Sequence, residues 1–241
     1  MFMKKSFIYL LLISLISGCE QVDFQEDFLL ETLFENNDKR LLDYHAVKNE
    51  DKTLSWSEEF DNNDSKWPFD VTISYSDATL YIEDGKMIID YYGDDDKSEI
   101  FFKELPIIID ESKNFEVEMR MYWKLSGYAL YVFDHPIDTT MFYGVFFSQT
   151  ENGIIRIRLN FWDKEKNSWS NMLSIPANNF TYPENYNLIT IRKIGMKYSI
   201  FVNEKFIYAF SEDKFSCNPT DFSIHKGINK LDYFRLSYVK D

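Results

Sequence analysis

The sequence is short of cysteine, glycine, proline and histidine, and each shortage removes a class of answer. Two cysteines in 241 residues cannot build the disulfide framework of a small secreted scaffold. Eight glycines and six prolines are too few for a collagen-like or low-complexity chain. The three histidines, His45, His135 and His225, are scattered, with no His-x-Glu or His-x-x-x-His spacing, so no zinc site is expected. Positive charge is also scarce. The 26 Lys and Arg face 40 Asp and Glu, which leaves a net charge of −14. Nucleic-acid binding and electrostatic attachment to anionic lipid both require a basic face, so neither is expected. No Gly-rich phosphate loop, Gly-x-Ser-x-Gly elbow or run of 18 apolar residues is present.

Aromatic side chains are plentiful. With 22 Phe, 16 Tyr and 5 Trp they make up 18% of the chain, a composition that favours pleated, half-buried β-structure. Hydrophobic residues reach 45%, enough for a core that needs neither disulfide nor metal.

The N-terminus reads as an address. Lys4 and Lys5 precede a short apolar run, Phe7 to Ile16, which is too short to cross a hydrocarbon layer about 30 Å thick. The run ends in Ile16-Ser17-Gly18-Cys19, which resembles the bacterial lipobox. The resemblance implies that residues 1–18 are a signal peptide and that Cys19 is cleaved before and lipidated, so the protein is anchored to a bilayer. Loss of Lys4 and Lys5 takes the net charge from −14 to −16. Glu20, Asp23, Glu26 and Asp27 follow, loosely like the surface-export signals of some Gram-negative lipoproteins. The expected location is therefore the cell envelope, at the outer membrane or cell surface in a Gram-negative organism. With Cys19 acylated, Cys217 has no disulfide partner. Only His225 is near it in sequence, so it is expected to be a small half-buried residue and not a nucleophile.

Residues 19–53 are expected to be a tether that can dock on the domain. Asp23 and Glu26 can cap a short helix whose stripe is Phe28, Leu29, Leu33 and Phe34. From Leu54 to Asp241 the period is two. Phe115, Val117, Met119, Met121 and Trp123 alternate with Glu116, Glu118, Arg120 and Tyr122. The same alternation runs through 155–162, 197–202 and 233–238. Further strands are expected over 70–75, 78–82, 86–92, 99–104, 128–133, 142–149, 187–194, 205–211 and 221–225. Turns are expected at Glu83-Asp84-Gly85, Gly93 to Asp96, Glu151-Asn152-Gly153 and Val202-Asn203-Glu204. Many strands and no long helical pattern predict an all-β, two-sheet antiparallel sandwich.

Several segments in order resemble a known family. They are Trp56-Ser57-Glu58-Glu59-Phe60 with Trp67, Leu80 to Met87, Asn114 to Met119 and Tyr143-Gly144-Val145-Phe146-Phe147. Tyr186 to Lys193, Tyr198 to Lys205 and the closing Leu231 to Leu236 complete the series. Together they are similar to concanavalin A-like lectin/glucanase and laminin-G-like jelly rolls over roughly residues 54–240. The resemblance implies two curved sheets with a concave face that members use for glycans, for protein partners or as scaffolding.

Glycan-cleaving relatives carry a Glu-x-Asp-x-x-Glu arrangement on one central strand, and that motif is absent here. The nearest candidates for catalysis are Glu116 and Glu118. Residues i and i+2 share a strand face and can reach the 5–5.5 Å separation of a retaining pair. The plainer expectation is a wet strand face, with each Glu opposite a Lys or Arg on the next strand. Asp94-Asp95-Asp96 lacks the order of a calcium loop and reads as a solvated turn, although some relatives hold a structural calcium. No cofactor is indicated. Trp162, Trp169, Asn160 and Tyr122 are the candidate ligand residues, because a sugar ring stacks on an aromatic plane beside amide groups. The favoured expectation is a non-catalytic module that binds glycan or an envelope protein. A hydrolase or lyase with a degenerate acidic site is one alternative, and a structural envelope lipoprotein is the other.

Overall fold

A computed structural model describes residues 38–62, 78–91, 100–101, 108–124, 128–134, 141–149, 155–163, 168–176, 180, 185–211, 219–224 and 227–241. Cys19 and the expected short helix with Phe28, Leu29, Leu33 and Phe34 lie outside the described residues. So do Trp67, the 70–75 strand, the 93–96 and 151–153 turns, His135, Cys217 and His225.

Three short 3-10 turns, Lys39–Leu41, Tyr44–Ala46 and Asn49–Asp51, open the described chain. Fourteen strands follow among the described residues. The first five are β1 (Lys52–Glu58), β2 (Ala78–Glu83), β3 (Lys86–Tyr91), β4 (Ile100–Phe101) and β5 (Phe115–Lys124). The next four are β6 (Tyr128–Asp134), β7 (Met141–Gln149), β8 (Ile155–Asp163) and β9 (Ser168–Pro176). The last five are β10 (Asn187–Ile194), β11 (Lys197–Val202), β12 (Lys205–Ser211), β13 (Pro219–Ile224) and β14 (Gly227–Val239).

All pairings are antiparallel and form two sheets. Sheet A runs β12-β11-β10-β5-β14-β3-β2, with β1 also paired to β14. Sheet B runs β4-β13-β6-β7-β8-β9. The expected two-sheet sandwich is therefore present. Two strands go beyond the sequence reading. β1 begins at Lys52, two residues before the expected domain start, and β9, which carries Trp169, has no counterpart among the expected strands.

Alternation decides the faces of sheet A. Phe115, Val117, Met119 and Met121 of β5 are buried in the core, with Ile189 and Ile191 of β10, Ile200 of β11 and Phe234 and Leu236 of β14. Register agrees, since Val117 faces Ile191 on one side and Leu236 on the other. Hairpin tips use left-handed backbone where expected. Asp84 (φ 51°) and Gly85 (φ 66°) join β2 to β3, and Asn203 (φ 50°) and Glu204 (φ 65°) join β11 to β12. Positive φ at both central residues suits the right-handed twist of the flanking strands.

Arg40–Asp241 form one compact unit. Residues 40–51, expected to be part of a tether, pack on sheet A. Leu41 and Val47 bury themselves against Ile194 and Val239 in a small satellite cluster. Among the described residues no helix is long and apolar enough to cross a membrane.

Candidate functional site

Glu116 and Glu118 follow each other on the outer face of β5, the face opposite the Val117 and Met119 side chains. Their surroundings differ. Glu116 is 1% exposed, and its cross-strand Cα partner on β10 is Arg192, which is 0% exposed. Arg192 Nε donates to Glu116 Oε2 at 2.5 Å, and Lys52 Nζ donates to the other carboxylate oxygen. The rest of the guanidinium is also occupied. Its NH1 donates to the carbonyls of Arg40 (2.6 Å) and Asp43 (3.1 Å), and its NH2 to the carbonyl of Tyr44 (2.8 Å). Phe201 lies under the guanidinium at 4.8 Å and Tyr44 at 5.4 Å. The expected Glu-opposite-Arg pairing is present, but the face is dry there. A buried carboxylate held by two cations is turned away from solvent, and in this geometry Glu116 ties β5 to β10 and to Lys52.

Glu118 lies at the border of a cleft of about 530 Å³ on the same face. Tyr44, Lys52, Glu59, Tyr233 and Arg235 also line it. Tyr44 donates its hydroxyl to Glu118 Oε1 at 2.8 Å. Burial first, and then the charge and hydrogen bond of Glu118, push the Tyr44 phenol well above its ordinary range. Burial and the Glu118 charge also raise Tyr233. Arg235 forms a two-pronged pair with Glu59, Nε to Oε1 at 2.8 Å and NH2 to Oε2 at 3.0 Å, and stacks over Tyr233 at 4.0 Å. That hydrogen bonding raises the Arg235 pKa. The cations lining this cleft are thus engaged by carboxylates of the chain itself.

Further along the same face, Tyr122 tilts against Tyr186 at 5.7 Å, and Arg120 sits 5.0 Å above Tyr186 while binding Asp232 at 2.6 Å. Tyr122 therefore belongs to sheet A. Trp162 and Asn160 are on β8 and Trp169 on β9, in sheet B. The four candidate ligand residues are accordingly divided between two sheets. Sheet B does bring two of them together, because Trp162 and Trp169 are direct Cα partners and Asn160 pairs with Asn171.

Sheet B differs from sheet A in composition. Strands β6 to β9 contain no Glu, and their Asp residues are the terminal Asp134 and Asp163. They do contain Tyr128, Tyr131, Phe133, Phe142, Tyr143, Phe146, Phe147, Phe161, Trp162 and Trp169. Among the described residues no cluster of three His, Cys, Asp or Glu can hold a metal ion.

Sequence reasoning missed Arg192, Lys52, Tyr44 and the Glu59–Arg235 pair. Arg192 was within reach, because it occupies the polar phase of an alternating strand flanked by Ile191 and Lys193. The others required long-range register that spacing does not reveal.

No protein-family model and no curated protein sequence matches the chain. Solved structures do. The catalytic domain of an endo-1,3-β-glucanase (laminarinase) from Thermotoga petrophila aligns with a TM-score of 0.56 at 13% identity, over 79% of this chain and 99% of that one. A Bacillus licheniformis β-glucanase aligns at 0.51 and 10% identity, over 78% and 99%. A carbohydrate-binding-type module, the CBM2 module of the evolved Dit protein from Lactobacillus casei BL23 phage J-1, aligns at 0.50 and 11%, over 79% and 97%. At such identities the likeness concerns the fold alone: this chain is a concanavalin A-like, antiparallel jelly-roll sandwich.

Proposed function

We propose that the protein is a lipid-anchored, non-catalytic module that binds glycan at a bacterial cell envelope. One observation carries this reading: a sandwich shared by glucanases and binding modules has a sheet whose strands β6 to β9 hold aromatics and no Glu. Glycoside cleavage needs two carboxyl groups flanking the scissile bond. Stacking on a sugar needs an apolar plane with hydrogen-bonding groups beside it. Trp162 and Trp169, opposed in register, would supply the plane, and Asn160 the amide. Cys19 would carry the lipid once residues 1–18 are removed, placing the sandwich outside the cytoplasm.

Because the Thermotoga petrophila protein is an endo-1,3-β-glucanase, β-1,3-glucan is the first ligand to try. The glucanase likeness also favours a second reading, a hydrolase whose acidic groups come from loops. A pull-down on insoluble and arrayed polysaccharides, run beside a reducing-sugar assay, separates the two. Binding without sugar release supports the module. Binding with release establishes the hydrolase. Failure to bind any polysaccharide overturns the glycan reading and directs the search to an envelope protein, by crosslinking on cells.

A further inference from the structure

The N-terminal segment Arg40–Asp51 is attached to sheet A in an unusual way. It has no ladder of its own and consists of single 3-10 turns. Three of its backbone carbonyls, from Arg40, Asp43 and Tyr44, converge on the one guanidinium of Arg192, which Glu116 holds in place. Its other ties are side-chain and terminal contacts. They include the Tyr44 hydroxyl to Glu118, the Tyr44 ring edge-on to Phe201 at 5.7 Å and His45 to Glu204 at 3.5 Å. Lys240 N donates to the Asp51 carbonyl at 2.9 Å, its ammonium donates to the Glu50 carbonyl, and Arg40 NH1 donates to the Lys240 carbonyl at 2.7 Å. Its apolar contribution is Leu41, Leu42 and Val47. The strands behind it, by contrast, share full ladders on both sides.

Segments held by a small core, a polar node and side-chain ties, with no ladder of their own, belong to the class that opens below the global unfolding free energy. On the same face, Ser199 Oγ, cross-strand from Arg192, and Thr190 Oγ1, cross-strand from Phe201, are buried without a hydrogen-bond partner among the described residues.

We propose that Arg40–Asp51 is a releasable clasp, closed by Arg192 and Glu116, that sets the length of the tether between the lipidated Cys19 and the sandwich. Open, it adds twelve residues, about 40 Å of extended chain at roughly 3.3–3.6 Å per residue. The length consequence rests on the lipid-anchor reading, whereas the opening itself does not.

Native-state hydrogen exchange read by mass spectrometry tests the clasp, on the full chain purified from membranes and on the C19S form. The amides of residues 41–51 are expected to exchange at least tenfold faster than those of β6 to β8. Arg192→Lys keeps the charge but cannot hold three carbonyls and a carboxylate together. It is expected to raise clasp exchange at least tenfold further and leave β6 to β8 within twofold. Val47→Ala, which leaves the node in place, should act in the same direction. Equal acceleration of clasp and β6 to β8 in both variants would mean that the clasp opens only with global unfolding, and the proposal would be wrong. No response of the clasp to Arg192→Lys would also overturn it. The intact mass reports the lipid on Cys19 separately, so an unmodified cysteine would remove the tether consequence while the exchange data still judge the opening.

Discussion

On the outer face of sheet A, Glu116 meets Arg192, Glu59 meets Arg235 and Asp232 meets Arg120. Along β6 to β9 of sheet B there is no glutamate to pair, and Trp162 faces Trp169 in register instead. The two sheets differ in what their strands carry. Sheet A uses its charges on itself, to hold the N-terminal segment and its own strands. Strands β6 to β9 of sheet B carry the aromatic residues that the proposed sugar site would use. A charge that already has a partner contributes little to a ligand, so a large polar cleft is not by itself the better candidate.

The contrast is most easily broken at Glu116. Glu116→Ala leaves Arg192 and Lys52 without their carboxylate in a dry site, and is expected to cost about 3–5 kcal/mol in chemical denaturation. A loss under about 1 kcal/mol would mean that the pair is far wetter than its burial indicates. Asn203→Ala comes next. Asn203 holds a φ of 50°, accepts from Leu188 N at 2.9 Å, and donates to the Phe180 carbonyl at 2.7 Å and to Asn187 Oδ1 at 2.8 Å. Its loss should cost about 2–3 kcal/mol, from a left-handed non-glycine residue and unpaired neighbours. Asn203→Gly, which removes the backbone strain alone, should recover only part of it.

The alkaline limb of stability gives a smaller effect. Tyr44, Tyr186 and Tyr233 all have folded pKa values raised, chiefly by burial. Their stabilising contribution is complete below the unfolded phenol value of about 10 and is lost as pH rises above it, because the unfolded chain then releases protons that the folded chain keeps. Melting temperature should therefore fall above about pH 10, and less steeply in Tyr44→Phe. Glu118→Gln should be smallest, at or below about 1 kcal/mol, since it keeps an acceptor for the Tyr44 hydroxyl. A Glu118→Gln effect as large as that of Glu116→Ala would erase the distinction between two carboxylates two residues apart.

Much of the fold was legible from period-two alternation. The strands expected at 187–194 and 205–211 match β10 and β12, and those near 78, 86, 115, 128, 142 and 155 differ by a residue or two at their ends. The tips at Asp84-Gly85 and Asn203-Glu204 were marked by residues that tolerate positive φ. β9 was missed because Ser168, Ser170, Asn171 and Ser174 break the apolar phase in an edge strand. The site was less legible. Sharing a face on β5 was correct for Glu116 and Glu118, yet spacing cannot report that residues 40–51 come back over that face and leave the first buried and the second half-buried. Nor can it report that Tyr122 and Trp162 fall on different sheets, because strand order is a property of the whole topology.

The most direct test of the division between the sheets is calorimetric titration of β-1,3-glucan into the native protein, the Trp162→Ala/Trp169→Ala variant and Glu118→Gln. The account predicts that the double tryptophan variant loses about tenfold or more in affinity, roughly 1.4 kcal/mol, while Glu118→Gln binds as the native protein does. Full affinity in the tryptophan variant together with lost binding in Glu118→Gln would place the ligand on sheet A and contradict it.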